Sequence, residues 1–169
     1  AATQTFITAG ERFPDGATAN VNSVCTYPAD MFDTVYWHDG TPLSPADFVM
    51  GMIMPWDAAL EASEIYDASQ VPNYESAMTA FKGWRITSTD PMVVEWYSDN
   101  YALDASLNFN CGWPDYGYGD GAWHMMAVGY LADAAGETAF SADKAEELEV
   151  EWMNYISGPA MGVLSFYLD

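Results

Sequence analysis

Trp37-His38-Asp39-Gly40-Thr41-Pro42-Leu43-Ser44-Pro45-Ala46-Asp47-Phe48-Val49 packs a chain reversal and a complete helix start into one short stretch. Asp39-Gly40 reads as a turn whose glycine tolerates positive φ. Ser44 stands where an N-cap belongs, Pro45 takes the first helical position, and Asp47 completes an S-x-x-D capping box. Phe48 and Val49 then open a buried face that Met52 and Ile53 continue one turn later. The stretch predicts strand end, turn and helix, which is architecture and not yet chemistry.

Outward from this block, residues 31–37 read as an extended lead into the turn. Residues 21–27 alternate as a strand, ended by Pro28. Residues 1–20 read as irregular, with Pro14-Asp15-Gly16 as a turn and one short strand at 5–8. Downstream, a helix over 45–54 meets Pro55, which interrupts or kinks it. Residues 58–66 continue the helical period, and Pro72 breaks residues 70–73. Residues 74–81 fit a short helix closed near Gly83. Residues 84–87 and 92–97, joined by Ser88-Thr89-Asp90-Pro91, predict a hairpin. Residues 101–107 read as an irregular helix or turn, and residues 108–121 as a loop rich in aromatics and glycine. A helix follows over 123–135, ending at Gly136. Ser141 caps an acidic helix over 142–155, and Gly158-Pro159 starts a last helix through 168. A few strands among amphipathic helices, with no βαβ alternation and no internal repeat, predict an α+β fold: a small antiparallel or mixed sheet packed with several helices. The expected organisation is an irregular segment 1–23, an α+β body 24–135 and C-terminal helices 136–169.

The chain has 169 residues, half of them hydrophobic, with 7 Trp, 11 Tyr and 8 Phe. That length and that apolar content suit one domain with a real core and argue against a disordered chain. No apolar run reaches bilayer length, no signal-peptide pattern is present, and the first residue is Ala. The expectation is therefore a numbering that begins inside a longer product. The formal charge is −21, from 25 acidic residues against Arg12, Lys82, Arg85 and Lys144. A nucleic-acid partner needs cationic neutralisation of phosphates and is excluded on this balance. An anionic membrane surface is disfavoured in the same way. A solvated acidic surface explains the charge most simply; cationic ligands, Ca²⁺ binding and salt adaptation are the other readings. Cys25 and Cys111 suit either a disulfide across a long loop, worth on the order of 4 kcal/mol in the chain-entropy model, or two free buried thiols.

Two ordered segments resemble a known family. The 37–49 block is similar to the W/F-x-D-G-T-P-L-[ST]-x-x-D-[FV]-V segment of extracellular solute-binding proteins of the oligopeptide/dipeptide type (family 5), the soluble receptors of ABC importers. Phe81-Lys82-Gly83-Trp84-Arg85-Ile86, then Thr89-Asp90-Pro91, then Val93-Val94-Glu95-Trp96 resembles that family's F-x-x-I-x-x-x-D-x-x-T-V-x-x hairpin. The resemblance covers residues 33–99, extends onward, and is poor before residue 24. It implies two lobes closing over a ligand, with a smaller accessory domain to which both segments belong. Family members are several times longer than this chain, so the resemblance implies a partial chain whose partners are the remaining lobes, a peptide or small polar solute, and a membrane permease. It also implies an extracytoplasmic location, periplasmic or as a cell-surface lipoprotein, and no catalysis. A tyrosine after the D-G-T-P helix reaches the cleft edge in some members; Tyr66 stands in that place, with Trp56 as a neighbouring candidate.

The residues themselves offer further candidates. Trp113, Tyr116 and Tyr118, with Trp123, could line a sugar or peptide site or could be pinned onto the core. His38 and His124, the only histidines, have Asp39, Asp115 and Asp120 as conceivable company, but no ligand spacing, so no metal is assigned. Asp115 to Asp120, interleaved with glycines, lacks the order of a calcium loop. The methionines at 50, 52, 54, 125, 126, 153 and 161 read as core filling. No nucleophile elbow, P-loop, zinc-protease or dinucleotide motif occurs, and no cofactor is expected. Two alternatives to an importer receptor stay open: an extracellular carbohydrate-binding module, and a secreted acidic hydrolase domain.

Overall fold

The computed structural model describes residues 9–111 and 121–168. The chain divides into two compact units, each made of two separated stretches: Ala1–Pro45 with Glu75–Pro114, and Ala46–Tyr74 with Asp115–Asp169. The fold is α+β, with a three-stranded antiparallel sheet and a two-stranded parallel one. Among the described residues no helix is long and apolar enough to cross a membrane.

The first unit is built on the sheet β1 (Val21–Thr26), β2 (Phe81–Thr89) and β3 (Met92–Ser98), in the order β1-β3-β2. Valines and aromatics in β3 favour a half-buried pleated strand, and Met92 and Val94 are buried on one face opposite Cys25 and its neighbours. The ribbon of β2 and β3 is longer than the hairpin read from the sequence, and its turn holds a cis Asp90–Pro91 peptide. Gly83 does not close a helix. It lies inside β2, at a register shift between Phe81 and Gly83, where a bulge tolerates its missing side chain. Cys25 on β1 is bonded to Cys111, with Cα atoms 5.9 Å apart.

Residues 31–37 are not extended throughout. Met31–Thr34 forms a one-turn helix, α2, after the four-residue helix α1 (Ala9–Arg12), which lies in the stretch expected to be irregular. Burial of Met31 explains the turn, and the Thr34 hydroxyl donates to the Asp30 carbonyl at 2.8 Å. Tyr36 then bridges Pro42 across the predicted reversal. The strand expected at 5–8 lies outside the described residues.

The second unit opens with α3 (Pro45–Asp57), which passes Pro55 and ends two residues later, so the lost hydrogen bond falls in the last turn. Residues 58–66 are a turn-rich loop and not a helix, because Ile65 is drawn into the core while Glu61 and Glu64 stay out. A 3₁₀ turn over Ala68–Gln70 leads directly into α4 (Val71–Met78). Pro72 does not break the chain there; it sits in the first turn of α4, where a missing N–H costs nothing. The helix α5 (Trp123–Ala134) ends at Gly136, whose φ is +71°. Ser141 caps α6 (Ala142–Leu148) by accepting from the Lys144 N–H at 3.1 Å. That helix stops well short of residue 155, at Glu149 in the left-handed region (φ 56°). The early stop frees β5 (Glu151–Trp152) to pair in parallel with β4 (Thr138–Ala139). The last helix, α7, is Ala160–Phe166.

Among the described residues, two apolar clusters lie in the core of this unit. Met54, Ile65 and Met126 make one; Val128, Ala132 and Leu164 make the other. Tyr155 packs against both. Its hydroxyl lies where a side chain on Gly129 would begin, 1.9 Å from an ideal Cβ, so α5 needs glycine at that point.

Candidate functional site

The reversal at Asp39-Gly40 is held by local chemistry. Asp39 Oδ1 accepts from the Thr41 N–H at 2.9 Å and from the Thr41 hydroxyl at 2.7 Å, and Gly40 takes φ +86°. Asp47, expected as a capping residue, is buried, and its Oδ1 accepts from the Trp123 N–H at 2.8 Å at the start of α5. A residue chosen by capping logic thus joins two helices of the second unit, α3 and α5.

Two of the predicted ligand residues flank the loop that follows α3, Trp56 in the last turn of the helix and Tyr66 near the far end of the loop. Trp56 is half-buried and meets the ring of Tyr74 edge-on, with centroids 5.9 Å apart. Tyr66 is half-buried between the buried Ile65 and Asp67. The loop between them is closed by the Asp67 N–H, which donates to the Ala58 carbonyl at 2.7 Å. Asp57 holds its base: Oδ2 accepts from the Ser63 hydroxyl at 2.8 Å and from the Tyr130 hydroxyl at 2.9 Å. Two aromatic faces, one at the end of α3 and one on the pinned loop, provide stacking surface and, at Tyr66, a hydroxyl able to donate or accept.

The far end of the loop is anchored by buried charge. Asp67 caps the 3₁₀ turn through Ser69, with Oδ1 accepting from the Ser69 N–H at 2.9 Å. Burial pushes the Asp67 carboxyl up, but hydrogen bonds from Ser141 and Ser69 and the charge of Lys144 outweigh it, leaving the group below the usual carboxylate range. Lys144 pairs with Asp133 at 2.5 Å, their side chains 12% and 1% exposed. Asp133 Oδ2 also accepts from the Phe140 N–H at 2.9 Å. Loop, α5 and α6 therefore share one polar cluster, whose members carry no periodic signal along the chain.

In the first unit, Arg85 reaches Glu95 at 2.7 Å across β2 and β3, and the Tyr97 hydroxyl also donates to Glu95. Hydrogen bonds from Tyr97 and Arg85 hold Glu95 below the usual carboxylate range. Lys82 pairs with Asp99 at 3.2 Å. After β3, Asn108 cinches residues 102–108: its Oδ1 accepts from the Ala102 N–H at 2.6 Å and its Nδ2 donates to the Ala102 carbonyl at 2.9 Å.

Trp113, Tyr116 and Tyr118 lie outside the described residues, as do Asp115 and Asp120. Trp123 is exposed and stacks edge-on against His124, with centroids 5.7 Å apart. Among the described residues no group of three or more His, Cys, Asp or Glu is placed to hold a metal ion. Tyr74, Asp57 and the Asp67–Lys144 cluster are the parts of this site that sequence reading did not single out. No protein-family model, curated protein or solved structure matches the chain.

Proposed function

We propose that this chain is a non-catalytic part of an importer receptor that captures peptides or similar small polar solutes outside the cytoplasm, with the remaining lobes and a membrane permease as partners. The observation that carries this reading is the order of elements at the resembling residues. An aspartate-held reversal at 39–41 leads into α3, which carries Trp56 in its last turn, a pinned loop bearing Tyr66 follows, and the β2–β3 ribbon comes after it. The Cys25–Cys111 bond supports an oxidising compartment, since disulfides persist outside the reducing cytosol. Closure of the lobes around a solute would present a changed surface to the permease.

Isothermal titration against pools of short peptides and of oligosaccharides tests the reading. Saturable binding of peptides, weakened about tenfold or more by Tyr66→Ala and less by Trp56→Ala, is the expected result, in line with the loss of one stacking contact of about 1 kcal/mol or more. Binding of oligosaccharides with no response to peptides would favour a carbohydrate-binding module instead. Turnover of glycosidase or esterase substrates that disappears on replacing one Asp or Glu would assign a hydrolase.

A further inference from the structure

The two outer strands of the three-stranded sheet are built differently. β2 breaks register between Phe81 and Gly83 and again between Ile86 and Ser88, and it carries Lys82 and Arg85. Bulges and cations are the usual devices that stop an edge from pairing with a foreign strand. β1 has neither. Its sequence VNSVCT contains no proline, lysine or arginine, and its register to β3 runs unbroken from Val21↔Ser98 to Thr26↔Val93.

One bond just past β1 sets the direction of its backbone groups. The Tyr27 N–H donates to the Met92 carbonyl at 2.9 Å, which makes that position a hydrogen-bonded pair. Alternation along an antiparallel ladder then turns the N–H and C=O groups of Asn22, Val24 and Thr26 away from β3. Among the described residues no hydrogen bond reaches those outward groups. The side chains of the same three residues are exposed, Val24 at 52%. Ser23 and Cys25 face the other way and are taken by the segment after β3: the Asn110 N–H donates to Ser23 Oγ at 3.2 Å, and Cys111 is bonded to Cys25. Among the described residues, that segment engages the buried side chains of β1, and no hydrogen bond reaches the strand's outer edge.

We propose that the outer edge of β1 is a docking site for an extended polypeptide segment of another protein, neutral or basic in charge, which joins the sheet as a fourth strand. Outward N–H and C=O groups repeating at strand spacing are matched by another strand, so the edge itself specifies the chemistry of its occupant. The charge of −21 repels acidic segments and favours basic ones. A second copy of the chain brings the same charge and is disfavoured for the same reason. Val24 adds an apolar contact for a β-branched residue beside it. This inference is independent of the importer reading, since it uses none of the residues of the loop after α3.

The probe is the blocked peptide KVTVTK, titrated to millimolar concentration into uniformly ¹⁵N-labelled protein, alongside the same peptide N-methylated at alternate residues. The unmodified peptide is expected to shift the amides of Asn22, Val24 and Thr26 saturably, and the N-methylated one to bind at least tenfold more weakly. Val24→Pro removes an N–H that faces away from β3, so the ladder to β3 is kept while peptide affinity falls at least tenfold. The N-methylated peptide asks the same question without altering the protein, should that variant not fold. No shift at these amides, or an equal response from the two peptides, overturns the proposal. So does slow exchange of the three amides in the protein alone, which would place a strand of its own chain on the edge. Concentration-dependent dimerisation abolished by Val24→Pro would assign the edge to a second copy and overturns it as well.

Discussion

The sheet unit and the helical unit are held together by different kinds of interaction. In the first, the ion pairs are on the surface: Lys82–Asp99 and Arg85–Glu95 leave at least one partner a third or more exposed, so solvent screens them and they add little. Stability there rests on the strand ladders, the buried face of β3, and a covalent link between Cys25 and Cys111 across 86 residues of sequence. In the second, the sheet is two residues wide and the decisive charge pair is inside, with Asp133 almost wholly buried against Lys144. A buried pair specifies position more than it stabilises, and it is costly to break. The difference teaches where each half is vulnerable: the first to reduction, the second to loss of a single side chain.

The largest expected effect tests the covalent half of that contrast. Replacing both cysteines by serine, or reducing the bond, should cost about 4–5 kcal/mol in the chain-entropy model for a loop of this length. Hydrogen exchange read segment by segment should show faster opening in β1 and β3 and little change in α5 and α6. Equal loss in both sets of segments would break the contrast. Lys144→Met comes next, at about 3–5 kcal/mol, because it leaves the Asp133 carboxylate buried with only the Phe140 N–H for company. Chemical denaturation should show the loss, with exchange rising first around α5 and α6.

A smaller effect, of about 2–3 kcal/mol, is expected for Gly129→Ala. The new methyl group would meet the Tyr155 hydroxyl at 1.9 Å and the Phe140 ring at 2.8 Å. The Tyr155 hydroxyl has no hydrogen-bond partner among the described residues, so Tyr155→Phe should be close to neutral and should partly rescue Gly129→Ala, as a double-mutant cycle in denaturant would show. The smallest effect is on pH dependence. Asp67 titrates below its unfolded value, so its contribution to stability is present above the ordinary carboxylate pKa of about 4 and disappears as pH falls through the lower folded value. Thermal melts of Asp67→Asn between about pH 2 and pH 6 should be flatter than those of the parent, and the difference should vanish at the acid end. An unchanged acid limb would remove Asp67 from the polar cluster.

How much of this was readable in advance depended on whether the signal was local. The turn at Asp39-Gly40, the start of α3, the β2–β3 ribbon and the cap at Ser141 are each written in a few neighbouring residues, and each is present. The α2 turn, the loop over 58–66 and the early end of α6 are not local. They follow from burying Met31 and Ile65, and from pairing Glu151–Trp152 with Thr138–Ala139, partners that no window of sequence brings together. Pro72 and Gly83 were misread because each residue has two compatible settings, a break or a helix start for proline, a cap or a bulge for glycine. For the candidate site, Trp56 and Tyr66 came from a resemblance, whereas their supports Asp57, Asp67 and Lys144 look like any solvated polar residues until the fold gathers them.

Lys82, Arg85 and Lys144 each spend their positive charge on a carboxylate of the same chain. The net charge of −21 must therefore be balanced by positive ions drawn from the solution. The cation cloud of the buffer then becomes a working layer of the protein. Its thickness, about 10 Å at 0.1 M salt, sets how near another acidic body can come. Dilution into a salt-poor medium would swell that layer and press the like-charged segments apart, while brine would let them relax against one another.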